Sequence, residues 1–521
     1  MKLMELYKDK VIGAIKGFDR IRFRGTIRWL ANETGMNTFL YESNILLKDF
    51  AAWAESKTRA LRLNCEKRAQ ELGIERQYLR TGATDKEKLA REIAEKNNIS
   101  NGPICMFSVV EPCIAPAIKG NKKTKLIELK MIPRKCTFIY NYFDHPDIGF
   151  GHVRLQTWFP MNVHICINGR HWLEKQLKKN NLAYIKDRNC FPWIQDVNAA
   201  QEIMNGQLQT QWDKLLEDIT LFFYPALKKT LTPFEPSYYW SANETEWATD
   251  IMFRSVSDLE ELYPSFIRHA MMISDSPSVM RFLGRRGVTS SGKIRGVVPN
   301  EILSDFRKRY EGVRTKHWIN YNSVKMYNKS GNLLRFETTI NNTRDFKVYR
   351  HPNDDKTRPK SWQKLRKGVA DLYRRSQVSD KCNTRYADAI ASAQVNQTLK
   401  EVASSCCNVV RKNKKRFRAL NPWNIEDYKL LTFLGKGELA INGFRNKDLR
   451  NWLYPNNADK NEERRLTGRV TRRIRLLRAH GLIRKAPHVN RYVLTEKGQK
   501  FSTALLSVSN VEVQELMKVA S

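Results

Sequence analysis

The chain has 521 residues, with 91 Lys and Arg against 54 Asp and Glu and a formal charge of +37. Such an excess would be self-repulsive in a protein that worked without a polyanion, so a long nucleic acid is the expected counter-charge. A hydrophobic content of 41% with 10% aromatics argues against general disorder, and no apolar run is long enough to span a bilayer.

No long basic helix shows a membrane-facing side, so no membrane partner is expected. The first residues, MKLMELYKDKVIGAIKGF, are charged and periodic rather than signal-like. Nine cysteines are scattered without a CxxC pair, which points to reduced thiols in a cytoplasm. The length supports two to four domains. The pattern predicts an α+β, multidomain protein with two antiparallel-sheet regions, a helical region between them and a C-terminal winged helix.

In chain order, residues 1–182 read as an α+β domain. A helix and the strand-like RIRFRGTIR lead through DKEKLAREIAEKN, a helix, to the strands ICMFSVV, LIELKMI, KCTFIYNYF, GHVRLQTWF and NVHICIN, and GRHWLEKQLKKN closes the unit as a helix. Residues 183–300 read as mainly helical. Residues 301–407 read as strands TKHWINY, SVKMYN and NLLRFETTIN followed by helices in SWQKLRKGVADLYRRSQ and TRYADAIASAQ. Residues 408–521 begin with the basic linker RKNKKRFRALNPW. They continue with a helix capped by Asn446 and a helix whose apolar stripe is Leu466, Val470, Ile474 and Leu477. Gly481 ends that helix, and short strands at 482–485 and 490–495 flank Pro487.

This helix–hairpin order resembles the winged-helix family over roughly the last hundred residues. The resemblance implies nucleic-acid contacts from Arg469, Arg472, Arg473 and Arg475, which lie off the stripe. Winged helices also serve as protein-docking modules, and arginine meets phosphate as readily as guanine, so no target sequence follows.

Two further places carry binding chemistry. His152, Arg154, Gln156 and Trp158 alternate with Val153, Leu155 and Thr157, and Asn162, His164, Cys166 and Asn168 alternate with Val163, Ile165 and Ile167. One face is expected in the core and the other exposed to nucleic acid. Phe138, Tyr140 and Tyr142 beside them read either as stacking platforms or as core. His152 and His164 on adjacent strands, with His145, Asp144, Asp147 and His171 nearby in sequence, suggest a divalent-metal site, although the spacing matches no zinc pattern.

In YNKSGNLLRFETTI, Arg335, Glu337 and Thr339 alternate with apolar neighbours, and Lys325 is expected across the hairpin from Arg335. This phrase weakly resembles strands of rolling-circle replication initiators over about fifteen residues, without the histidine pair of those nickases. An Arg335–Glu337 surface network is the simpler reading.

A metal-dependent nuclease needs carboxylates that converge from distant segments. Asp19, at the start of one strand, and Glu111, at the end of another, are candidates. Glu246 and Asp250 in SANETEWATDIMF stand at i and i+4, expected on one helix face. This set resembles the RNase H-like nucleases in placement, without their early three-strand meander. Gly287 to Ile294, GVTSSGKI, has the outline of a phosphate-binding loop but places Ile294 where a hydroxyl is needed.

The whole chain resembles long basic proteins of bacterial mobile elements. The expected function is a DNA- or RNA-engaging protein, a metal-dependent nuclease or recombinase-like enzyme, with the winged helix delivering duplex DNA. Asp19, Glu111, Glu246 and Asp250 would hold Mg2+ or Mn2+, and the excess charge leaves room for a structured RNA. The alternative is a non-catalytic DNA-binding regulator or RNA-binding protein.

Overall fold

The computed structural model describes residues 1–521 except 232–234, 236, 286–301, 392–403, 405, 413–414, 437–438, 440–442, 456–459, 487–489 and 510–521. The phosphate-loop-like segment lies outside the described residues. No described helix is long and apolar enough to cross a membrane.

The strands are β1 (Val11–Thr26), β2 (Glu75–Leu79), β3 (Gly102–Gly120), β4 (Ile127–His145), β5 (Gly149–Gln156), β6 (Val163–Asn168), β7 (Tyr184–Asp187), β8 (Cys190–Ile194), β9 (Tyr239–Phe253), β10 (Leu303–Arg309), β11 (Gly312–Ile319), β12 (Asn322–Lys329) and β13 (Leu333–Ile340). Eleven of them form one mixed sheet in the order β10-β11-β12-β13-β9-β1-β6-β5-β4-β3-β2, and β7 pairs with β8 apart from it. The β2–β3 pair is parallel, whereas β3 to β6 and β6 to β1 pair antiparallel. Helices, small hairpins and loops complete the chain, giving a mixed α/β fold.

Two compact units can be distinguished, each assembled from separate stretches. One comprises Met1–Gly13, Asp250–Thr338 and Asp380–Ser521, the other Ala14–Thr249 and Thr339–Ser379. The unit boundaries fall inside β1, β9, β13 and the helix Leu372–Ile390.

In the second unit the expected meander is present. Val153 pairs with Ile165 and Leu155 with Val163, and Phe23 continues the row from Ile165. All five are buried at 0% exposure. Each such side chain contributes about 1.5–3 kcal/mol on burial.

The segment expected to carry Glu246 and Asp250 on a helix is instead β9. From Trp247 to Phe253 every residue is buried. A strand covered on both faces loses the alternation that identifies strands in sequence, which leaves the i,i+4 acids looking helical. The helix expected from 361 also differs: β14 (Lys347–Arg350) and β15 (Ser361–Lys364) form a hairpin, and the helix runs Leu372–Ile390.

The C-terminal residues of the first unit form a module with its own core, including Leu430, Phe444, Leu449, Val470, Ile474, Leu477, Leu482 and Phe501. Its order is helix Ile425–Leu434, helix Asn446–Leu453, helix Lys460–Ala479, and a hairpin followed by helix Glu496–Ser509. The stripe Leu466, Val470, Ile474 and Leu477 is buried, as the period requires. Asn446 is the first helical residue, behind Arg445 at the cap, and donates from Nδ2 to Thr471 Oγ1 at 3.0 Å.

The stretch expected as a linker is a ribbon of β16 (Val410–Lys412) and β17 (Lys415–Phe417). The chain beyond it is tied to the module: Arg418 donates to both Asp427 oxygens at 2.6 Å. The hairpin that closes the module is β18 (Ile483–Lys485) with β19 (Tyr492–Leu494).

Candidate metal centre and nucleic-acid interface

The central strands β13, β9 and β1 each contribute one acid. Carboxylate oxygens of Asp19, Glu246 and Glu337 all lie within 4.8 Å of one another. Asp19 sits in mid-strand rather than opening one, at 4% exposure, and Asn189 Nδ2 donates to its two oxygens at 3.2 and 3.1 Å. Glu246 is 12% exposed and accepts from Arg20 Nη2 at 2.8 Å. Glu337, 2% exposed, is held by Lys325 Nζ and by Tyr327 Oη, which donates at 2.9 Å. Burial works to raise the Glu337 carboxyl, but Lys325 and Arg335 outweigh it and hold it at about 2. At neutral pH it is therefore an anion ready to ligate.

Three carboxylates at this separation repel one another, and their hard oxygens suit Mg2+ or Mn2+ rather than a zinc ion seeking His or Cys. They fit such an ion. Glu337 is the member of this acidic group that sequence reasoning passed over. Its signal was present, since an Arg-x-Glu pair inside the otherwise uncharged LLRFETTI must be compensated once the strand is buried.

Two expected ligands lie elsewhere. Asp250 belongs to a buried bidentate pair in which Arg335 Nε and Nη2 donate to its two oxygens, the latter at 2.7 Å. Arg335 and Glu337 are thus buried at 0% and 2%, not a surface network, and Lys325 faces Glu337 rather than Arg335 as its partner. Glu111 lies within β3, not at its end, and four strand spacings from β1, about 19 Å. Tyr140 Oη donates to both its oxygens at 3.0 and 2.8 Å, Arg154 Nη2 donates at 2.6 Å, and Lys86 Nζ is 3.2 Å away.

The histidine cluster does not form a metal group among the described residues. Asp144 pairs with Lys175 at 3.0 Å, Asp147 with Lys179, and His145 Nδ1 lies 3.9 Å from Asp147.

The polar face of β5 and β6 is more covered than alternation suggested. Gln156 is buried and donates to the Phe159 carbonyl at 3.0 Å. Arg154 lies 3.8 Å over the Phe138 ring. Phe138, Tyr140 and Tyr142 belong to a core with Ala90 of the helix Lys86–Lys96. Burial, reinforced by nearby guanidinium charge, lowers His152 and His164 to about 3. Both are neutral at pH 7, so Arg22 and Arg154 supply the charge of this face.

In the terminal module Arg469, Arg472 and Arg475 are exposed. Arg473 instead pairs with Glu426 and Asp427. Being off the apolar stripe did not place it in solvent, because a neighbouring helix presents two acids to it.

No protein-family model, curated protein or solved structure matches this chain.

Proposed function

We propose that the chain is a metal-dependent nuclease or recombinase-like strand-transfer enzyme acting on DNA, in the manner of mobile-element proteins. The C-terminal module, read as a winged helix, would engage the duplex in the cytoplasm, and the excess charge leaves room for a structured RNA. One observation carries the reading: three acids from adjacent central strands bring their oxygens within 4.8 Å in a chain of charge +37.

Mg2+ or Mn2+ bound there supplies Lewis acidity toward a phosphate oxygen and lowers the pKa of water. Asp19, Glu246 and Glu337 would hold it. Asn189 orients Asp19, while Lys325 and Tyr327 fix Glu337. The Lys325 ammonium beside Glu337 would counter negative charge developing on a phosphate.

A non-catalytic nucleic-acid-binding protein is the second reading, favoured by the Arg20–Glu246 and Lys325–Glu337 pairs, which already give two of the acids a cation. Labelled duplex DNA, single-stranded DNA and RNA incubated with Mg2+ or Mn2+ separate the two. Cleavage by the wild type, lost in Glu246→Gln with binding retained, is the expected result. A wild type that binds but cuts none of the substrates leaves the binding protein.

A further inference from the structure

Hydrogen bonds tie three basic residues to the N-terminal part of β9. Ser241 bridges to Gly368, and Ser241 Oγ donates to the Arg24 carbonyl at 3.2 Å. Ala242 N donates to the Lys367 carbonyl at 2.8 Å, and Arg375 Nη1 donates to the Ala242 carbonyl at 2.7 Å. The backbones of Arg24 and Lys367 and the guanidinium of Arg375 therefore meet two consecutive residues of one strand, and all belong to the unit Ala14–Thr249 with Thr339–Ser379. Arg344 joins them electrostatically. The Lys367 amine lies below its ordinary value through burial, then through the charges of Arg375, Arg24 and Arg344.

The cluster is graded in depth. Arg344 and Lys367 are exposed, Arg24 is half-buried, and Arg375 is 1% exposed. Arg24 Nε and Arg375 Nη2 are buried donors without a hydrogen-bond partner. Asp371, the acid whose charge acts on Arg375, already accepts from Arg366 N at 3.0 Å and Arg374 Nη1 at 2.7 Å. Like charges packed together above unspent buried donors are costly unless an anion completes them. A tetrahedral phosphate offers both the charge and several acceptors that guanidinium groups match. Beside the cluster, the Arg28 guanidinium lies 3.6 Å over one face of the Tyr239 ring, and Tyr239 is 38% exposed.

We propose that Arg24, Arg344, Lys367 and Arg375 form an anion site for a backbone phosphate of a nucleic-acid strand, with Tyr239 beside it to stack a base. Ala242 is four residues before Glu246, so the site lies about 13 Å along β9 from the carboxylate centre. A strand gripped here reaches that centre a few nucleotides further on. The inference rests on the nucleic-acid reading above, not on the metal or on cleavage.

The test measures binding of labelled single-stranded and duplex oligonucleotides to the full chain in EDTA, where metal chemistry is silent. Arg344→Glu/Lys367→Glu is compared with Lys119→Glu/Lys123→Glu, an equal charge change on the exposed β3–β4 hairpin. The first variant should lose at least about tenfold in affinity, and its salt slope on a single strand should fall by about 1.4, from roughly 0.7 per phosphate. The second should stay close to the wild type, and both should melt with it. Inorganic phosphate and a mononucleotide are titrated in parallel to separate a backbone phosphate from a free one. Equal losses in the two variants overturn the anion site, as does oligonucleotide binding indifferent to both while free phosphate alone depends on Arg344 and Lys367. A wild type that binds through this site without ever cleaving sinks the nuclease reading alone.

Discussion

Two acidic centres of the same sheet solve opposite problems. At Glu111 one carboxylate meets a tyrosine hydroxyl, a guanidinium and an ammonium, so its charge and lone pairs are answered by donors of its own neighbourhood. At the β13-β9-β1 centre, three carboxylates press within 4.8 Å of one another beside Arg20 and Lys325. The first arrangement is a closed network that holds β3, β4 and β5 together. The second gathers three acids among the donors Asn189, Arg20, Lys325 and Tyr327. Acid residue type alone, therefore, is a poor guide to a metal ligand; the ratio of acids to donors in three dimensions decides.

The sharpest way to break this comparison is Asp250→Asn, next to the metal centre but outside it. It leaves Arg335 buried without its carboxylate, at a cost of about 3–5 kcal/mol in denaturant unfolding. A loss below 1 kcal/mol, on the order of a surface pair, would mean that the pair is not closed as described.

Manganese titration sharpens the contrast next. An ion that binds the folded chain adds about 2.7 kcal/mol at a hundred times its dissociation constant. Wild type and Glu111→Gln should both gain, and Glu246→Gln should not, as calorimetric melting would read directly. An equal gain in Glu246→Gln would remove the centre.

Glu111→Gln should itself lose about 1–3 kcal/mol, because the replacement satisfies its part-buried donors poorly. Stability indistinguishable from wild type would show that the network adds nothing to the fold.

The last contrast is in pH. His152 and His164 have folded values near 3, below the unfolded 6.5, so the unfolded chain takes up the proton first. Stability should fall as pH drops from about 6.5 toward 3, by at most about 1.4 kcal/mol per pH unit per imidazole. Glu337, held at about 2, contributes stability above the unfolded carboxylate value that is lost only below about 4.5. Between pH 6.5 and 5, then, a His152→Gln/His164→Gln variant should make the profile less steep and Glu337→Gln should not, while His171, His269 and His317, lowered by burial to about 3, 4 and 4, keep the rest of the slope. The reverse pattern would reassign the titrating groups.

Much was legible from the chain alone. Charge, the alternation of Val153, Leu155, Val163, Ile165 and Ile167, and the stripe Leu466, Val470, Ile474 and Leu477 follow from local periodicity, because each element buries one face and the period of burial is written in neighbouring residues. Tertiary structure decided the rest. β9 is buried on both faces and so carries no period, which hid its strand character and the company of Glu246. Partner choice was equally invisible: Arg335 went to Asp250, Lys325 to Glu337 and Arg473 to Glu426. Which acids meet a cation and which meet each other depends on strand order and register across distant segments, and those distances exist only once the chain is folded.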